Sequence, residues 1–152
     1  MDRFIHPDAR ILVCDGRKAL ILRNDGPAGS PQLSVEREIH APSPSHHSGD
    51  LGSDRPGRSA QRQGAQLGPR SAVEEVDFHS QEEEKFVREA LADFAAHCER
   101  NNVQEIVLIA PPRALAVLRK AGSKALFERV VGEIDKDLTR HTVEDIARTL
   151  GA

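Results

Sequence analysis

The sequence predicts a mixed α/β domain with one long interruption. Three observations lead there. Three short apolar runs stand close together near the N-terminus, separated by Asp-Gly and Asn-Asp-Gly turn signals. Further on, apolar stripes at helical spacing alternate with compact apolar runs, as in strand–helix units of an α/β sheet. Between the two parts lie residues 41–72, rich in Pro, Gly and Ser. A compact domain seldom carries so long a connection unless it has a function or is disordered.

Ala9 to Cys14 reads as the first strand, stopped by Asp15-Gly16, and Lys18 to Arg23 as the second, stopped by Asn24-Asp25-Gly26-Pro27. Asn, Asp and Gly tolerate the positive φ that tight hairpin turns require. Gln32 to His40 alternates, with Leu33, Val35, Arg37 and Ile39 on one face and Glu36 and Glu38 on the other, the pattern of a half-buried strand. These three form an antiparallel meander.

A long helix is predicted from Ser80. Ser80 and Glu83 have capping-box spacing, and Glu82, Glu83 and Glu84 suit the positive end of a helix dipole. Phe86, Val87, Ala90, Leu91, Phe94, Ala95 and Cys98 make one apolar stripe, and Asn101-Asn102 ends it. Glu105 to Ala110 is a fourth strand, apolar on both faces as in the middle of a covered sheet. Pro111-Pro112 opens a helix to about Ala121, since Pro is tolerated in a first turn. Gly122 ends it, and Ser123 to Arg129 makes another short turn or helix. Val130 to Ile134 is the fifth strand. Thr142, with Asp145 three residues on, caps a last helix carrying Val143, Ile146, Ala147 and Leu150. The order β-β-β-α-β-α-β-α, with right-handed crossovers, is that of the ribonuclease H-like fold. The chain is expected to be one domain over 1–152, with 41–79 as a long, mobile loop inside it.

Composition narrows the partners. The 152 residues carry a formal net charge of -3, so the molecule as a whole is not a polycation seeking nucleic acid. The charge is uneven, however. Residues 41–72 hold Arg55, Arg58, Arg62 and Arg70 against Asp50 and Asp54, whereas 73–152 hold eleven basic and sixteen acidic side chains. A basic segment thus sits in an acidic body, either to meet a polyanion or to fasten onto that body. Cys14 and Cys98 fall in apolar surroundings and read as buried thiols; their spacing suggests neither zinc nor a redox pair. No secretory core and no run of membrane-spanning length is visible, so a cytoplasmic protein without membrane insertion is expected.

The residues that carry chemistry are few. Two-metal hydrolysis needs several carboxylates converging on two ions. Asp15 and the Glu82–Glu89 stretch offer some, but the fourth strand ends at Ala110-Pro111-Pro112, and Asp145 cannot complete a set alone. His40, His46, His47 and His79 lack a fixed ligand spacing. Ser53 and Ser59 have no strand–elbow–helix context, and no glycine-rich phosphate motif stands between a strand and a helix. Neither metal nor cofactor is expected. Asp54-Arg55-Pro56-Gly57-Arg58 is different: Pro-Gly makes a tight turn that brings Arg55 and Arg58 together. Two guanidinium forks can clamp a phosphate or an acidic partner, or Asp50 and Asp54 can satisfy them internally. Arg113 starts a helix beyond the carboxyl end of the fourth strand, where open sheets bind ligands, and Asp135, Lys136 and Asp137 follow the fifth strand at the same edge. Arg55, Arg58, Arg113, Asp54, Asp135 and Lys136 are therefore the binding candidates.

Four strings occur in one order: Ile11 to Ala19, Asp50 to Ser59, Ile109 to Arg113, and Glu133-Ile134-Asp135-Lys136-Asp137-Leu138-Thr139. Together they resemble the bacterial host attachment protein family over nearly the whole chain. That family is similar in turn to the middle domain of archaeal and eukaryotic class-1 peptide-chain release factors, which carry a Gly-Gly-Gln tip between the third strand and the long helix. This chain has Gly64-Ala65-Gln66 there, and Ala65 gives up part of the backbone freedom of a second glycine. The missing carboxylate set, the missing Gly-Gly-Gln and the basic segment favour a non-enzymatic interaction module, and the resemblance implies an indirect role in attachment to host cells, with an unknown protein partner or the ribosome and its RNA as partner. The alternative is codon-independent peptidyl-tRNA hydrolysis in ribosome rescue, with Gln66 as the catalytic candidate, since no codon-reading domain is expected. RNA binding without catalysis is a third reading.

Overall fold

The structure is a computed structural model; it describes residues 5–42 and 68–151, with 68–77 described by backbone alone. Strands β1 (Arg10–Cys14), β2 (Lys18–Asn24), β3 (Leu33–His40), β4 (Ile106–Ala110) and β5 (Val130–Asp135) alternate with helices α1 (Gly68–Arg100), α2 (Pro112–Ala121), α3 (Lys124–Glu128) and α4 (Val143–Gly151) in the chain order β1-β2-β3-α1-β4-α2-α3-β5-α4. The strands form one open sheet, β3-β2-β1-β4-β5, antiparallel across β3, β2 and β1 and parallel across β1, β4 and β5. This is the mixed α/β class the sequence predicts. The chain divides into two compact units, Met1–His40 with Glu84–Ala152, and Ala41–Glu83. The packing that follows belongs to the first.

The two central strands are buried at every position because both sheet faces are covered. Ile11, Val13, Leu20, Leu22, Val107 and Ile109 turn to one face and pack with Leu138 and with Ile146 and Leu150 of α4. Arg10, Leu12 and Cys14 turn to the opposite face by strand alternation. There α1 is held by two ties to β3, His97 to Glu36 and Asp93 to Arg37. Its stripe of Phe86, Val87, Ala90, Leu91, Phe94 and Cys98 is buried. Cys14 and Cys98 are both buried and free, and burial pushes their thiols up to about 12 and about 11.

Two sequence expectations need correction. The long helix begins at Gly68, not Ser80. Gly68-Pro69 reads as linker, yet Pro is favoured in a helix's first turn, and residues 71–79 contain neither Gly nor Pro to stop propagation. Ser80 is thus an interior residue, not a cap, and residues 68–79 are helix, not loop. The alternation of β3 also does not define one face. A bulge opposite Ile21 and Leu22 pairs Val35 with Leu22 and Arg37 with Ile21, leaving Glu36 as the extra residue. Val35 ends up 46% exposed, not half-buried on a continuous stripe.

The bulge has a use. Arg10 is only 4% exposed, and a buried guanidinium needs a partner. Its Nε donates to Glu36 Oε1 at 2.7 Å and its Nη1 to the Asp8 carbonyl at 2.6 Å. His97 Nε2 donates to the same Glu36 oxygen at 2.8 Å. Burial pulls the Glu36 carboxyl up, but hydrogen bonds from His97 and Arg10 prevail and hold it below the usual range. Beside this tie, fully buried Asn24 organises the β2–β3 connection. Its Oδ1 accepts from Gly26 N at 2.9 Å and Gln32 N at 3.0 Å, and its Nδ2 donates to the His6 carbonyl at 3.1 Å. Gly26 is required there: a Cβ would lie 2.5 Å from the Ser30 carbonyl oxygen.

Two outcomes follow. Asn24→Ala leaves two amides and a carbonyl without their partner and lowers unfolding free energy by about 2–3 kcal/mol in denaturant titration. Glu36 has a lower pKa folded than unfolded, so its stabilisation is complete above the unfolded value of about 4.3 and is lost as pH falls through the folded value. Unfolding measured from neutral to acid pH therefore shows a steeper acid-side loss for the wild type than for Glu36→Gln.

Candidate functional site

Because β1, β4 and β5 run parallel, their carboxyl ends meet at one edge, with Val13 opposite Ile109 and Ala110 opposite Asp135. Open sheets bind ligands at this edge. Asp15, just past β1, is committed to structure on both oxygens. Oδ1 accepts from the amides of Arg17 and Lys18, each at 2.8 Å, which closes the β1–β2 turn. Oδ2 accepts from the Thr139 hydroxyl at 2.8 Å, a tie between residues 124 positions apart.

Thr139 is 1% exposed, and its hydroxyl also lies 2.9 Å from Asp137 Oδ1, which accepts the Thr139 amide at 3.3 Å. One hydroxyl proton serves one carboxylate at a time, so Asp15 and Asp137 share it. Burial first, then the charges of Asp15 and Asp137, keep the nearby Cys14 thiol protonated, so it is no nucleophile. Among the described residues, no group of three His, Cys, Asp or Glu side chains is placed to hold a metal ion.

The binding candidates separate. Asp135 is exposed at the end of β5. Lys136 lines an open hollow of about 790 Å³ with Asp137, His141, Asp145 and Arg148. Arg148 bonds Asp145 there and His141 Nδ1 lies 3.6 Å from the same carboxylate, while among the described residues Lys136 is in no ion pair. Arg113 lies instead in the first turn of α2, after the extended N-cap Pro111. It lines a different hollow of about 340 Å³ against α1, with Glu84, Arg88 and Lys120. The structure thus joins Arg113 to Arg88 and Lys120, not to Lys136 in one cavity. Asp54, Arg55, Arg58 and Gln66 lie outside the described residues, as do His46, His47, Ser53 and Ser59. His40 is engaged by Glu38 at 2.9 Å, and His79 lies edge-on to Phe78 with ring centroids 6.0 Å apart.

Sequence reasoning missed Arg88, Lys120 and Thr139. The spacing of Arg113 and Lys120, seven residues apart, and of Glu84 and Arg88, four apart, already placed each pair on one helix face. Which faces would meet depended on how α1 and α2 lie side by side. Thr139 closes the Glu133–Thr139 string, but nothing local showed its tie to Asp15, which stands at the other end of the chain.

No helix among the described residues is long and apolar enough to cross a membrane. No curated protein matches the chain. The family described as bacterial archaeo-eukaryotic release factor family 12 matches residues 8–150. That description accords with the release-factor similarity of the sequence and does not carry the host-attachment name. Spanning the whole described sheet and its helices, the match shows that this chain belongs to the bacterial archaeo-eukaryotic release factor family 12.

Proposed function

We propose that this protein acts in translation as a release-factor-type domain, codon-independently, on peptidyl-tRNA held by stalled ribosomes. The observation that carries the reading is the family membership over residues 8–150. Gln66, the candidate for this step, stands two residues before Gly68, the first residue of α1. The chemistry asked of it is modest. A glutamine amide both donates and accepts, so it can orient a water against an ester without changing charge.

A second reading is an interaction module without catalysis, including an indirect part in attachment to host cells. What favours it is that Asp15 and Asp137, which a hydrolytic site at the strand edge would use, are bound to turn amides and Thr139. The Asp54-Arg55-Pro56-Gly57-Arg58 turn would then supply the docking contact.

Purified full-length protein added to stalled ribosomal complexes separates the two. The release reading expects the protein to co-sediment with ribosomes and to free the nascent peptide, with Gln66→Ala reducing release by about 100-fold or more. Co-sedimentation without release favours the non-catalytic module, and the absence of both co-sedimentation and release would contradict a role on the ribosome.

A further inference from the structure

The groove between α1 and α2 carries a charge pattern that the fold does not need. Arg88 comes from α1; Arg113 and Lys120 come from α2. All three side chains are exposed at its rim. Ala116 and Val117 line it between them, and Glu84 is the carboxylate present. The buried side of α2, Ala114, Leu115 and Leu118, faces away toward the core, so the cations stand on its outer face. Residues 113, 116, 117 and 120 share that face by helical spacing. Among the described residues no ion pair claims Arg88, Arg113 or Lys120. Elsewhere on the same helix Arg119 is paired, with its Nη2 2.7 Å from Glu133 Oε1. An acidic body offers many carboxylates, yet among the described residues these three cations face a hollow with one, Glu84.

We infer that this groove binds the phosphate backbone of single-stranded RNA. The span supports an extended polyanion over a single phosphate: Arg113 and Lys120 are separated by about 10 Å along the helix axis, and Arg88 faces them from the other wall. The small lining side chains Ala116 and Val117 leave room for sugar and backbone between the cations. Among the described residues no aromatic side chain lines the groove to stack bases, so recognition there is electrostatic and independent of sequence. The choice of RNA over other polyanions rests on the translation reading above; the groove and its charges do not.

The test measures binding of a short fluorescent single-stranded RNA to the full chain across about 50 to about 300 mM salt. The wild type is compared with the triple variant Arg88→Ser, Arg113→Ser, Lys120→Ser, and with a control, Arg119→Ser with Lys124→Ser. The triple variant is expected to lose about tenfold or more in affinity. The slope of log affinity against log salt should fall by about 2, since each phosphate neutralised on a single strand contributes about 0.7. The control should match the wild type. The double variant Arg88→Lys, Arg113→Lys keeps the charge and should keep most binding, which guards against loss through misfolding.

An unchanged affinity and slope in the triple variant overturns the inference, as does a wild type that binds no RNA. Preference for a polyglutamate peptide over RNA overturns it as well. The two readings fail separately. Wild type that binds RNA through the groove but ignores ribosomes refutes the function and spares the groove. A triple variant that binds ribosomes and RNA like wild type refutes the groove and spares the function.

Discussion

The buried guanidinium of Arg10 is the constraint on which the rest of this structure depends. It lies on the α1 side of the sheet, 4% exposed, where an unpaired charge would cost several kcal/mol. Glu36 neutralises it, and the bulge in β3 brings Glu36 there. The same carboxylate then accepts from His97, so pairing Arg10 also fixes the last turns of α1. Arg37, beside the bulge, adds a second tie to α1 through Asp93 at 2.7 Å. A single buried charge on β1 thereby sets the shape of the edge strand and the seat of the long helix.

That seat matters for function because α1 does two things at once. Its start follows the Gly64-Ala65-Gln66 triplet, and its middle supplies Arg88 to the groove against α2. At the carboxyl edge of the sheet, where ligands often bind in open α/β folds, Asp15 and Asp137 are by contrast tied to Thr139. The proposed chemistry is therefore assigned to Gln66, ahead of α1, and the proposed affinity to Arg88, Arg113 and Lys120 on helix surfaces.

Much of the fold was legible because local rules and packing agreed. The all-apolar Ile106-Val107-Leu108-Ile109 run had to be central, and Thr142 caps α4 as its spacing predicts, accepting from Asp145 N at 3.1 Å. The errors arose where local signals competed. Gly68-Pro69 belongs equally to loops and to helix starts, so the Ser80 cap signal prevailed wrongly. The alternation of β3 concealed the bulge because the residue that breaks it, Glu36, is polar in either register; only its distant partners Arg10 and His97 decide which way it turns. The site was less legible for the same reason. Arg113 could be found from one strand end, but its companions Arg88 and Lys120 emerge only once two helices lie side by side.

The most direct test of this account is amide hydrogen exchange, followed residue by residue in the wild type and in Glu36→Gln, with Arg10 left in place. If Arg10 pairing seats α1, the variant exchanges faster in β3 and in α1 from about residue 84 to residue 100, while the α4-side core strands keep most of their protection. Unchanged protection along α1, or a uniform loss across the sheet and α4, would contradict the claim that this one ion pair determines where the long helix sits.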